Sequence, residues 1–155
     1  MAARPSPRAV LRQAQGQLSA FLTGQGLKQT RQRDTILKEF VSAKGHLTVE
    51  DLYERVRERN PEIGAATVYR TLKLFCEAGI ASPIHFQAGV TLYEYRSAHH
   101  DHLICVGCGE IVEFECSMIE QSQLDIAAEY GYRLVNHRHD LYGFCAKCNK
   151  LEANH

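Results

Sequence analysis

The sequence predicts an α+β protein in two parts: a helical half closed by a hairpin, then a smaller α/β half built on short strands. Three observations carry this. Apolar residues recur at helical spacing in three segments between residues 31 and 78. Beyond about residue 81 the period shortens toward the two-residue alternation of strands. The two CxxC pairs both fall in the second half. The expected boundary lies at about Arg96–Ala98, giving domains 1–95 and 96–155.

Residues 1–16 are polar and rich in Ala, Gln and Arg; they read as a frayed helix or a tail with no assigned role. The first expected helix spans 31–43, with Ile36, Leu37, Phe40 and Val41 at helical spacing. Thr48 then reads as an N-cap, and Glu50 and Asp51 occupy the first turn, where the helix dipole favours acids. Val49, Leu52, Tyr53 and Val56 make the apolar face of that second helix, and Asn60-Pro61 ends it. A third helix over about 66–78 turns Val68, Leu72 and Phe75 inward and Tyr69, Arg70 and Lys73 elsewhere, with Gly79 as its stop. SPIHFQAGVTLYEY reads as two strands around Ala88-Gly89. Three helices and a hairpin is the order of a winged helix-turn-helix, whose last helix enters the DNA major groove. A plain α+β domain can show the same order. Past residue 96, HLICV, EIVEFE and the long stretch YRLVNHRHDLYGFC alternate as strands. MIEQSQLDIAAEY between them is helical, with Ile119, Leu124 (or Gln123), Ile126 and Ala127 near one face.

The chain has 155 residues, 45% of them hydrophobic, enough for a real core, and no net charge. The charge is unevenly spread. Residues 1–95 hold 13 basic and 9 acidic side chains, a net +4, and residues 96–155 hold 5 and 9, a net −4. The basic half suits phosphates and the acidic half suits cations. No apolar run approaches the roughly 20 residues of a membrane helix. The N-terminal MAARPSPRAV lacks the apolar core of a signal peptide. The reading is a soluble cytoplasmic protein with no membrane partner, in which paired cysteines imply metal or redox chemistry and not disulfides.

Cys105 and Cys108, and Cys145 and Cys148, are each separated by two residues. That spacing lets both thiolates of a pair reach one ion from a tight turn, and four thiolates suit a closed, structural Zn²⁺ site. The gap between the pairs is 36 residues, longer than the ~15–20 of a zinc ribbon, so other elements must fold between them. A dithiol redox pair is the alternative for one CxxC but a poor one for two. HHDH at 99–102 is a second candidate. If extended, it sends His100 and His102 to one side and His99 and Asp101 to the other. The same period pairs Glu113 with Glu115, and His137 with His139 on the long strand. Nitrogen and oxygen donors without thiolate suit Fe²⁺, Mn²⁺ or Zn²⁺. A solvated polar turn is the bland reading.

EIGAATVYRTLKLFCEAGI, HHDHLICVGCGEIVEF and NHRHDLYGFCAKC together resemble the ferric uptake regulator family of bacterial metal-dependent repressors, from about Gly26 to Cys148. The resemblance implies a winged-helix domain followed by a dimerisation domain, acting as a homodimer on double-stranded operator DNA. It implies a structural zinc on Cys105, Cys108, Cys145 and Cys148. It implies a regulatory site of His46, Glu94, His100, His102 and Glu113, and a further site of His99, Asp101, Glu120 and His137. Tyr69 and Arg70 match the DNA-contacting part of the recognition helix, and Lys28 matches a residue that reaches toward the minor groove. Two departures stand out: a longer segment before Gly26, and His139 where the family pattern is apolar or variable. The expected function is a non-enzymatic Fe²⁺-dependent repressor, with Mn²⁺ or Zn²⁺ as substitutes. A zinc-, manganese- or peroxide-sensing relative is the nearest alternative. A small metallohydrolase using HHDH, or a zinc-stabilised interaction module, is the alternative of another class.

Overall fold

The computed structural model describes residues 6–43, 45–85, 89–95 and 100–152. The chain divides into two compact units, Met1–Ser97 and Ala98–His155.

The first unit is built on four helices: α1 (Pro7–Gly24), α2 (Arg31–Ser42), α3 (Val49–Arg59) and α4 (Ala65–Glu77). Strands β1 (Ala81–His85) and β2 (Thr91–Tyr95) pair antiparallel behind them. The segment read as a frayed helix or tail is the principal correction. From Pro7 onward it forms α1, opened by Ser6, whose hydroxyl accepts from the Ala9 N–H, and by Pro7 at the first position. Its residues Ala14, Leu18 and Leu22 are fully buried. They recur at i, i+4, i+8, a stripe diluted in sequence by the Gln and Ser residues around it. Gln17 Nε2 also donates to the Ala78 carbonyl at 2.9 Å, satisfying one of the orphan acceptors at the end of α4.

The remaining core is as the periodicity indicates. Ile36, Leu37 and Phe40 of α2, Leu52 and Val56 of α3, and Val68, Leu72 and Phe75 of α4 share one buried cluster. The Phe40 and Phe75 rings lie 5.9 Å apart at its centre. Thr48 caps α3 in a reciprocal box: its hydroxyl accepts from the Asp51 N–H at 3.1 Å, and Asp51 Oδ2 accepts from the Thr48 N–H at 2.8 Å. These bonds to Thr48 hold the Asp51 carboxyl below the usual carboxylate range.

The second unit holds a three-stranded sheet in the order β4-β3-β5, from β3 (Asp101–Cys105), β4 (Ile111–Phe114) and β5 (Asp140–Gly143). β3 pairs antiparallel with β4 and parallel with β5. The crossover between β4 and β5 carries α5 (Ser117–Glu129), and α6 (Ala146–Glu152) follows β5. One expectation fails here, and two further features are new. The long strand shrinks to Asp140–Gly143, because residues 132–139 form no ladder. Leu124 and Ile126 of α5 do not enter a core: they are 51% and 57% exposed, and α5 buries no residue. At the second CxxC, Cys145 precedes α6 and Cys148 lies within it.

If α1 is part of the folded core, Leu18→Ala should destabilise the protein by about 2–5 kcal/mol in chemical denaturation. Gln15→Ala, on the exposed side of the same helix, should stay within about 0.5 kcal/mol. Equally small losses for both would return α1 to a frayed tail.

Candidate metal centres

The four cysteines are brought together by strand pairing. Cys105 ends β3, and Cys145 stands two residues past Gly143, its neighbour across the parallel β3–β5 ladder. The 36-residue gap is therefore closed by the sheet and crossed by β4 and α5. All four sulfurs lie within 4.8 Å of one another. A tetrahedral ion with thiolate bonds of about 2.3 Å demands sulfur separations of about 3.8 Å, and Cys108 Sγ and Cys145 Sγ are 3.7 Å apart. The donor set and its spacing fit a closed four-thiolate site.

Two backbone features shape it. The Cys145 N–H donates to Cys105 Sγ at 3.2 Å. That bond, with further backbone donors from Cys108 and Gly107, lowers the Cys105 pKa to about 6. Cys148 is pushed up to about 12, first by the Cys108 sulfur and then by Cys145 and burial. One thiolate is thus stable by itself, while a further charge beside it is resisted until a cation arrives. Gly107 is the second feature. A Cβ there would lie 3.0 Å from both Cβ and Sγ of Cys148, so a side chain at this position would press Cys148 back by a few tenths of an ångström.

Nitrogen and oxygen donors form separate groups. In the first unit, Leu47 and Tyr93 exchange backbone hydrogen bonds of 3.1 and 2.8 Å. This isolated bridge sets the adjoining His46 beside Glu94 of β2, with His46 Nε2 3.2 Å from Glu94 Oε2. Sequence offered no signal for that pairing, since it depends on a single long-range bridge.

In the second unit, His102 of β3 faces Glu113 of β4 across the antiparallel ladder. The His100 and His102 rings meet edge to face at 4.9 Å. Asp101, one residue along and 1% exposed, belongs to a different group with Glu120 of α5 and His137, whose ligand atoms also converge within 4.8 Å. His137 Nε2 is 3.2 Å from Glu120 Oε1. His99 lies outside the described residues. His137 and His139 share no strand; the His139 ring stacks edge-on to Phe114. Glu115 falls just past the end of β4. The sequence reasoning did not single out Asp140, whose Oδ1 lies 3.2 Å from His102 Nδ1. Only the parallel β3–β5 register reveals it, and no local pattern encodes that register.

Lys28 is exposed in the connection between α1 and α2. Tyr69, 56% exposed, and Arg70 stand on the outer side of α4, the helix that follows α3.

The model of the ferric uptake regulator family matches residues 24–142. The chain belongs to that family. Members are metal-responsive transcriptional regulators, and membership carries this class of function to the chain. The chain is 44% identical over 131 residues to the ferric uptake regulation protein of Campylobacter jejuni, covering 83% of each sequence. The solved Helicobacter pylori ferric uptake regulator, described as having three functional metal-binding sites, superposes with a TM-score of 0.76. It is 25% identical, over 96% of this chain and 97% of that one. The Pseudomonas aeruginosa regulator solved with manganese has a TM-score of 0.74 at 37% identity, over 83% and 97%. The hydrolase alternative finds no support in these relatives.

Gly107→Ala should weaken zinc binding to the cysteines on the order of 10-fold, as perturbed outer-shell contacts do, when measured by competition with a chromogenic chelator. Gly143→Ala is the control, because a Cβ at that position meets nothing within 4 Å. Equal affinities for the two variants would show that the Cys148 sulfur is not held by this close approach.

Proposed function

We propose that this chain is an Fe²⁺-dependent cytoplasmic repressor that binds palindromic operator DNA as a homodimer, with Mn²⁺ or Zn²⁺ as substitutes at its regulatory site. Zn²⁺ held by Cys105, Cys108, Cys145 and Cys148 is structural, since four thiolates leave no open position.

The observation that carries the regulatory reading is the separation of donor chemistry. The His46–Glu94 pair on the first unit and the His100, His102 and Glu113 donors on the second contain no sulfur. Each set by itself underfills the coordination shell of a first-row dication. In the proposal one ion draws on both, tying the DNA-binding unit to the other. His99, Asp101, Glu120 and His137 form a further site within the second unit; the convergence of Asp101, Glu120 and His137 supports it. Such donors do not favour iron over zinc by affinity, so selection rests on geometry and metal availability.

On DNA, α4 takes the part of the recognition helix, with Tyr69 and Arg70 reaching the major groove and Lys28 the minor. Two such helices must match the half-site spacing of a palindrome. Tying the units therefore raises affinity by narrowing their range of angles. Taking the bound arrangement from rare to dominant requires about 5.5 kcal/mol of differential metal affinity.

The homodimer is supported by the outer face of the second unit. Val112, Leu103 and Leu141 form a cross-strand row through the sheet, and they are 49%, 45% and 41% exposed. Leu124 and Ile126 of α5 are further exposed apolar residues of the same unit. Uncovered apolar surface of this kind marks an interface.

In fluorescence anisotropy with operator DNA, Mn²⁺ should raise the affinity of the native protein, and His100→Ala should remove that dependence. Arg70→Ala should weaken metal-loaded binding by about 1–3 kcal/mol if it contacts a base. Undiminished metal dependence in His100→Ala would end the tether model. Separately, Leu103→Asp should convert the dimer into monomer in sedimentation velocity, whereas a dimer that survives it would place the interface elsewhere.

A further inference from the structure

His102 stands between two carboxylates on the middle strand of the sheet. The antiparallel register sets Glu113 opposite it on β4, and the parallel register sets Asp140 opposite it on β5. Directly opposed residues share a face, so Glu113, His102 and Asp140 form one row across three strands. The imidazole engages one end of that row. His102 Nδ1 lies 3.2 Å from Asp140 Oδ1, and the two side chains are only 7% and 11% exposed. An ionised carboxylate can only accept, so this bond requires the proton to sit on Nδ1. In the neutral ring the free lone pair then belongs to Nε2. Asp140 is itself anchored from behind: its Oδ2 accepts from Arg138 Nε at 2.5 Å.

We infer that Asp140 is a positioning residue for the regulatory metal, holding the proton on Nδ1 of His102 and so presenting Nε2 to the ion, with Arg138 fixing the carboxylate. The inference rests on His102 being a ligand, as proposed above. A ligating histidine is oriented by whatever accepts from its other nitrogen, and a carboxylate there also strengthens it as a donor. Both Asp140 oxygens are already engaged, one by His102 and one by Arg138, which sets Asp140 behind the ligand and not among the ligands. The residues concerned, Arg138 and Asp140, flank His139, the position at which the sequence departs from the family pattern.

Two measurements test this on the full chain. The first uses no regulatory metal: long-range ¹⁵N–¹H NMR of EDTA-treated protein at mildly alkaline pH. Native protein and Asp140→Asn, whose amide oxygen can still accept, should show His102 protonated on Nδ1. Asp140→Leu should shift it toward the Nε2-protonated form. The second is Mn²⁺ affinity by electron paramagnetic resonance. Asp140→Leu should lose about 10–100-fold, the usual effect of removing an outer-shell partner, and Asp140→Asn should recover most of that loss. Retained zinc and an unchanged far-ultraviolet spectrum confirm that each variant is folded. An unaltered tautomer in Asp140→Leu overturns the inference. So does an Asp140→Asn as impaired as Asp140→Leu, which would make Asp140 a direct ligand. If native protein fails to bind Mn²⁺, the regulatory site fails, while the tautomer measurement still decides whether Asp140 controls His102.

Discussion

Parallel pairing of β3 with β5 is the constraint on which the second unit depends. These strands are 34 residues apart from the end of one to the start of the other, with β4 and α5 between them. Their ladder does three things in four residue steps. At one end it puts Cys105 level with Gly143, so that Cys145 and then Cys148 can complete the thiolate cluster. At the other end it puts His102 level with Asp140. Between them it lays Leu103 beside Leu141 on the outer face. A parallel pair needs a long crossover and is weakly specified by local sequence. A metal clamp at the cysteine end suits that weakness, because closing a long loop is what the pairing itself must overcome.

How much of this was legible follows the range of the interaction. The α2–α4 core was readable because one residue in three or four declares its face, as Leu52 and Val56 or Val68, Leu72 and Phe75 do. The cap on α3 was readable because Thr48 and Asp51 are three residues apart. The cysteine pairs were readable through their spacing. What could not be read was set by distant partners. α1 is an amphipathic helix whose stripe of Ala14, Leu18 and Leu22 is thin, and its burial depends on the helices it meets. The stretch 132–139 alternates like a strand but forms no ladder, meeting β3 at its end through the bond from the His102 N–H to the His139 carbonyl. Leu124 and Ile126 lie near one face of α5 by spacing, yet about half of each stays exposed. They belong to the surface that the proposed homodimer would cover.

The candidate site shows the same division. Alternation along HHDH separates His102 from Asp101, and the structure gives them different company: Glu113 and Asp140 for one, Glu120 and His137 for the other. The partner residues themselves came from the family resemblance or from the coordinates, never from periodicity. His46 is the clearest instance. It reaches Glu94 only because Leu47 and Tyr93 exchange two backbone hydrogen bonds, a contact between residues 46 positions apart.

The placement of sulfur also bears on how one small chain can keep one metal and sense another. The four thiolates are gathered at the end of the β3–β5 ladder, and the imidazoles and carboxylates stand further along the same strand. A soft, closed set binds zinc tightly and exchanges it poorly, because every coordination position is filled by protein. An N/O set distributed over separate elements is open to exchange, since each element can withdraw its donors. Under the function proposed above, a cysteine among His100, His102 and Glu113 would tilt that site further toward zinc. In that reading, keeping the thiolates away from β3's middle residues matters to the sensing chemistry as much as the proposed ligands do.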